Sequence, residues 1–124
     1  MIILNPTGGT IRNDSHGQGF FGAPRGDRLH KGVDLTLPGG TGQLVLAPIS
    51  GRFDRIVYPY KDDPKTMGGQ FSNSNITVWM FYFKPEEYLI REKVVMGQVV
   101  GVAQTDHIHL QIGEHGEINP AILM

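Results

Sequence analysis

The sequence predicts an all-β protein: two antiparallel sheets packed as a sandwich or half-open barrel, with long loops and little or no helix. Three observations carry that expectation. Seventeen glycines and eight prolines in 124 residues cut the chain into short pieces separated by turns. Several of those pieces alternate apolar and polar side chains with the two-residue period of a strand. No segment longer than a single turn shows a helical period. The length suits one domain spanning residues 1–124, with one modest core.

Composition removes several function classes. Hydrophobic residues are 40% and charged residues 19% of the chain, neither a disordered nor a membrane composition. A formal net charge of -1 gives no broad attraction to nucleic acid or to an anionic membrane. With no cysteine, disulfides, thiolate metal sites and cysteine nucleophiles are excluded. The start, Met1-Ile-Ile-Leu-Asn-Pro6, has no basic region and only three apolar residues after Met1, so no signal peptide is expected. No run approaches the ~18 apolar residues of a membrane span. The expectation is a chain made in the cytoplasm and not inserted in a membrane.

Taken in order, Ile2 to Leu4 reads as a short first strand, turned by Pro6-Thr-Gly-Gly9. Residues 13–29 show no period; four glycines and the adjacent Phe20 and Phe21 suggest an ordered loop rather than a linker. His30 to Leu37 is a strand with His30, Gly32 and Asp34 on one face and Val33, Leu35 and Leu37 on the other. Gly32 leaves room there for the close approach of a metal or substrate. Gln43–Pro48 and Gly51–Val57 read as a hairpin. Residues 58–75 are polar and turn-rich, a loop long enough to be functional, with Tyr58, Tyr60 and Phe71 available to line a groove. Asn75 to Lys84 is the strongest strand, apolar on both faces and therefore central. Glu86–Ile90 can form one helical turn, and Val94–Val102 a turn and a buried strand. Asp106–Ile112 is a strand with His107, His109 and Gln111 on one face, followed by a turn at Gly113–Gly116 that exposes His115. Ile122 and Leu123 are available to plug one end of the core.

Two of these segments carry chemistry. If the strand of His30 and Asp34 lies beside that of His107 and His109, three histidines and one carboxylate converge. Two imidazoles and a carboxylate, with water in the fourth place, are the ligand chemistry of a catalytic zinc site. A metal-bound water with a pKa near 7 supplies hydroxide at neutral pH. Four side chains are available for three protein positions, and the histidine left over can act as general base. Spacing alone does not say which histidine that is.

The blocks Arg28-x-His30-x-Gly-x-Asp34, Val45-Leu-Ala47-Pro48-x-x-Gly51, Gly97-Gln98-Val-Val-Gly101 and His107-x-His109 resemble, in order and spacing, the lysostaphin/LytM-type zinc endopeptidases of bacterial cell walls, the duplicated hybrid motif fold. Asp14-x-His16-Gly17, Met80-Phe-Tyr-x-Lys84-Pro85 and Pro120-Ala121 resemble the leukocyte cell-derived chemotaxin-like branch of that superfamily, which this chain departs from in having no cysteine. The resemblance implies Zn2+ as cofactor, His30, Asp34 and His109 as its ligands and His107 as the catalytic histidine. The peptidases carry a second catalytic histidine on the central strand, where this sequence has Tyr82 or, in the other register, Lys84. Tyr82 is the candidate to replace it, and His16, Lys84, Tyr58 and Tyr60 are candidates to contact substrate. The implied substrate is peptidoglycan or another peptide, and the implied activity that of a peptidoglycan hydrolase, diminished or absent without that histidine. The alternative is an inactive zinc-binding recognition or structural module. A bacterial or phage origin, with delivery to the cell wall and phage or injection-particle proteins as partners, is expected. Val45-x-Ala47-Pro48-x-x-Gly51 also resembles lipoyl- and biotinyl-type carriers, but no lysine flanked by methionine stands at a hairpin tip, and the histidines go unexplained.

Overall fold

The structure is a computed structural model, and it describes residues 2–14 and 17–124. Among the described residues thirteen strands are paired, every pair antiparallel. Two short ladders come first, β1 (Asn13–Asp14) with β2 (Gly17–Gln18) and β3 (Pro24–Arg25) with β4 (Arg28–Leu29). The remaining strands are β5 (Val33–Thr36), β6 (Leu44–Leu46), β7 (Gly51–Val57), β8 (Gly68–Ser72), β9 (Thr77–Phe81), β10 (Phe83–Pro85), β11 (Lys93–Val94), β12 (Val99–Ala103) and β13 (His107–Ile112). A six-stranded sheet runs β11-β7-β8-β9-β13-β5, and a three-stranded sheet runs β10-β12-β6. Helix is confined to single 3-10 turns at Glu87–Leu89 and Pro120–Ile122. Among the described residues no sheet closes into a barrel and no helix is long and apolar enough to cross a membrane. The all-β expectation holds.

The core lies between the two sheets. Val33, Leu35, Phe53, Phe71, Val78, Met80, Ile108 and Leu110 from the larger sheet meet Val45, Phe83 and Val100 from the smaller one, all essentially inaccessible to water. Phe71 packs against Phe53 and Phe83 at centroid distances of 4.5 and 6.5 Å. Burying such side chains is worth about 1.5–3 kcal/mol each before entropy is counted.

Several local expectations are corrected. Residues 2–4 form no strand, although Ile3 and Leu4 donate backbone bonds to the carbonyls of Leu123 and Pro48. The segment 43–57 is not a hairpin: β6 pairs with β12 in the small sheet, whereas β7 pairs with β8 and β11 in the large one. The chain crosses between sheets at Pro48–Ser50. The expected loop 58–75 contains β8, which lies between β7 and β9, and Phe71 is core rather than groove. Two glycines hid this strand. A methyl group on Gly68 would collide with the Met80 carbonyl, and one on Gly69 would sit 2.7 Å from the Phe53 ring, so the tight fit that places β8 in the sheet also strips it of strand-like side chains.

The expected strand 75–84 is two strands. Tyr82 has φ +80, a left-handed conformation unusual for an aromatic residue, and there the chain leaves the large sheet for the small one. The switch resets the alternation, so Phe83 enters the core while Lys84 points to solvent. At the C-terminus Leu123 packs on the core, but Ile122 is exposed.

Candidate metal centre

β5 and β13 lie side by side, as the chemistry of the sequence required. Their register sets Asp34 opposite His109, and on the other side of β13 Phe81 is opposite His109. Strand alternation does the rest. Ile108, Leu110 and Ile112 go into the core, while His107, His109 and Gln111 face away from it, beside Trp79 and Phe81. His30 arrives differently from expectation. It precedes β5, in a segment bonded to the β3–β4 ladder: its N–H donates to the Ala23 carbonyl and its carbonyl accepts from Gly22. Gly32 is not opened toward a metal; the space a side chain would need is taken by the Leu110 carbonyl and Gln111.

His30, Asp34 and His109 form a metal-capable cluster. His30 Nε2 and His109 Nδ1 are 3.1 Å apart, and they lie 3.3 and 3.2 Å from Asp34 Oδ1. The outer atom of each group is engaged elsewhere. His30 Nδ1 is 2.9 Å from the Phe20 carbonyl, which can only accept, so this nitrogen carries the hydrogen. Gln111 Nε2 donates to the carbonyls of Gly113 and Glu114, both at 2.9 Å, so the amide presents its oxygen to His109 Nε2, 2.8 Å away. That nitrogen therefore carries the hydrogen of His109. Asp34 Oδ2 faces the Arg25 guanidinium at 3.4 Å. Three lone pairs, two from neutral imidazoles and one from a carboxylate, thus point at one another with no hydrogen left between them. A cation satisfies that arrangement, and the separations match the roughly 3.3 Å edges of a tetrahedron with ~2.0–2.1 Å bonds.

His107 lies outside this cluster. Its Nδ1 is 2.8 Å from Asp106 Oδ1, an acceptor, which places its hydrogen on Nδ1 and leaves Nε2 with the lone pair. The hydrogen bond from His107 lowers the Asp106 pKa. Arg12 Nη2 lies 3.8 Å from Asp106 Oδ2; Arg12 Nη1 is also 3.3 Å from His107 Nδ1, but a guanidinium can only donate, so the shorter contact of Nδ1 to the Asp106 carboxylate decides where the hydrogen sits. The Tyr82 ring lies 4.9 Å from that of His107, and its hydroxyl is 2.9 Å from the Tyr60 hydroxyl. Burial, then the bond to Tyr60, pushes the Tyr82 pKa up, so the phenol stays protonated.

Two open cavities flank the cluster. One, of about 500 Å³, is lined by His30, His109, Tyr58, Trp79, Glu114 and His115 among others. The second, of about 660 Å³, is lined by His107, Arg12, Thr66 and Thr105 among others. Arg25, Asp34, Tyr60 and Tyr82 belong to both, so the two are halves of one groove with the cluster at its middle. Of the expected substrate contacts, Tyr58 and Tyr60 line the groove, Lys84 lies in neither lining, and His16 falls outside the described residues. Arg12, Arg25, Asp106 and the Gly113–Glu114 carbonyls were not expected at the site. Only Gln111 had a signal, standing two residues after His109 on the same strand face.

No protein-family model matches the chain. Bovine leukocyte cell-derived chemotaxin-2 is 30% identical over 120 residues, covering 90% of this chain and 78% of that protein. The chain belongs to the chemotaxin-2 family. This family is LytM-like, and the fold of the present member agrees. Helicobacter pylori Csd3 superposes on all of the chain with a TM-score of 0.73 at 17% identity, the chain spanning 33% of it. The catalytic domain of the antimicrobial peptidase lysostaphin from Staphylococcus simulans superposes with a TM-score of 0.57 at 20% identity, over 77% of this chain and 78% of that domain. This chemotaxin-2 relative therefore has a metallopeptidase-like fold carrying a His/Asp/His cluster.

Proposed function

We propose that residues 1–124 act as one zinc-binding domain that hydrolyses peptide bonds, with peptide cross-bridges of bacterial peptidoglycan as the substrate. The observation that carries this reading is the donor set: His30 Nε2, Asp34 Oδ1 and His109 Nδ1 converge with both imidazole hydrogens committed elsewhere. Oxygen and nitrogen donors of this kind, three in number with a groove open beside them, suit zinc in a catalytic rather than a closed structural site. The likeness to the antimicrobial peptidase lysostaphin supports a peptidase, and the motif resemblance to LytM-type enzymes of bacterial cell walls suggests the substrate.

A bound zinc ion supplies Lewis-acid polarisation and an activated water. The protein's own residues supply the rest. His107, oriented by Asp106 through Nδ1, offers Nε2 to take a proton and later return it to the leaving amine. Tyr82, kept protonated chiefly by burial, turns its one hydroxyl hydrogen from Tyr60 to the developing oxyanion, a contribution worth about 10²–10³ in rate when the donor is fixed. Tyr58, Tyr60 and Trp79 form aromatic walls along which an extended peptide lies. Neither a nucleic-acid nor a membrane partner is part of this reading.

A second reading rests on Tyr82 itself. In one of the two registers, the other giving Lys84, it takes the place of the second histidine of the resembled peptidases, and without that group the domain serves as a zinc-dependent recognition module. Metal analysis and cell-wall clearing decide the matter. About one zinc per chain, lost in the double variant His30→Ala/Asp34→Ala, is expected; zinc kept by that variant refutes the site. Turbidity loss with purified cell walls by wild type and not by His107→Ala is expected for the enzyme, whereas no clearing by either favours recognition alone.

A further inference from the structure

We infer that Gln111 is a positioning residue: it dictates which nitrogen His109 offers to the metal, and it ties that choice to the turn at residues 113–116. The inference rests on His30, Asp34 and His109 being metal ligands. Gln111 is only 4% exposed, although it sits on the polar face of β13. A buried primary amide is costly unless its hydrogens and oxygen find partners. Here the assignment of partners is one-sided. Both amide hydrogens go to main-chain carbonyls, those of Gly113 and Glu114. Carbonyls cannot donate, so the amide cannot rotate by half a turn without facing its oxygen toward two other oxygens. The oxygen is thereby fixed on the His109 side, and it can accept only if His109 carries its hydrogen on Nε2. His109 Nδ1 is then left with the lone pair that faces His30 and Asp34.

The other end of this relay is part of the groove. Glu114 and His115 line the cavity on the His30 side. The turn also rests on the segment of His30, since the place of a side chain on Gly116 is filled by the Lys31 carbonyl. Its conformation therefore sets the two acceptors that orient Gln111, and Gln111 sets His109. The relay differs from those of the other two ligands. His30 is oriented by one backbone carbonyl, and Asp34 by an arginine on a short ladder. Only His109 depends on a side chain whose own orientation is decided by a groove-lining turn. Partners of this kind typically change metal affinity by about 10–100-fold when removed.

Two variants separate orientation from space-filling. Gln111→Met keeps the volume and loses the acceptor; Gln111→Glu keeps an acceptor and loses both donors. The full-length chain is labelled with nitrogen-15, and the His109 tautomer is read from long-range proton–nitrogen spectra of the zinc-free protein at about pH 8.5, two units above an ordinary histidine pKa. Zinc affinity is measured by competition with a chromophoric chelator. In the wild type His109 should carry its hydrogen on Nε2. Gln111→Met should lose that preference and bind zinc about 10–100-fold more weakly, while Gln111→Glu, which keeps an acceptor for His109 although it sets a carboxylate oxygen against the Gly113 and Glu114 carbonyls, should keep the tautomer preference. A Met variant with the wild-type tautomer and affinity overturns the inference. So does a Glu variant that loses the tautomer preference as Met does. If the wild type binds no zinc, the metal reading fails, and the tautomer comparison still decides the role of Gln111.

Discussion

His107 and His109 stand two residues apart on one strand, yet the structure holds them by different means. His109 belongs to a well whose outer atoms are tied inward, to the Phe20 carbonyl, to Arg25 and to the buried amide of Gln111. His107 belongs to a rim whose supports are Asp106, a largely exposed carboxylate, and the tyrosine pair Tyr60–Tyr82. Groups tied to main chain and core move little; groups tied to exposed side chains can be exchanged without disturbing the sheet. The difference teaches that, on the proposed function, metal binding and turnover rest on separately held groups. A sequence can keep the well intact while altering the rim.

The largest expected effect breaks the well. His30→Ala removes one ligand of three and should weaken zinc binding on the order of 10³-fold, a share of the ~10–16 kcal/mol of a complete site; His107→Ala, measured by the same chelator competition, should leave affinity nearly unchanged. Equal losses would erase the distinction between well and rim. Leu110→Ala strikes the floor beneath both histidines, where Leu110 is fully buried. It should cost about 2–5 kcal/mol in denaturant unfolding and slacken zinc binding with it.

At the rim, Tyr82→Phe should reduce peptide hydrolysis by about 10²-fold with zinc affinity unaltered, read as kcat at saturating substrate. Unchanged kcat would remove the hydroxyl from the reaction. The smallest effect concerns alkali. The folded chain favours the protonated phenol of Tyr82, because burial and the Tyr60 hydroxyl raise its pKa above the ordinary value of 10.0. Stability from this source is present below about pH 10 and is lost as the pH rises further. Wild type should therefore lose thermal stability above about pH 10 more steeply than Tyr82→Phe, as followed by circular dichroism.

Sequence pattern revealed the well far better than the rim. His107-x-His109 was legible because alternation projects both imidazoles from one strand face, and Asp34 because Val33 and Leu35 mark the buried side around it. His30 was found through a partly mistaken route: it precedes β5 rather than belonging to it, so its approach to Asp34 comes from the turn of the chain and not from strand spacing. β8 was hidden by Gly68 and Gly69, since close packing there demands the absence of the side chains that announce a strand. The break at Tyr82 was hidden for the opposite reason. Apolar and aromatic residues run through 78–83 without interruption, and nothing in that run marks the one backbone angle at which the chain changes sheets. Arg25 and Arg12 reach the site from short ladders and connections that have no period to read.

Asp34 and His109 are separated by 75 positions in the chain, and they meet through the pairing of β5, at one end of the six-stranded order, with β13. Closing so long a loop is entropically expensive and comes late in the assembly of a β protein. The three ligand atoms therefore do not converge on a nascent or half-folded chain. On the proposed zinc site, metal capture waits for β13 to dock on β5, and the uptake rate in refolding reports that pairing.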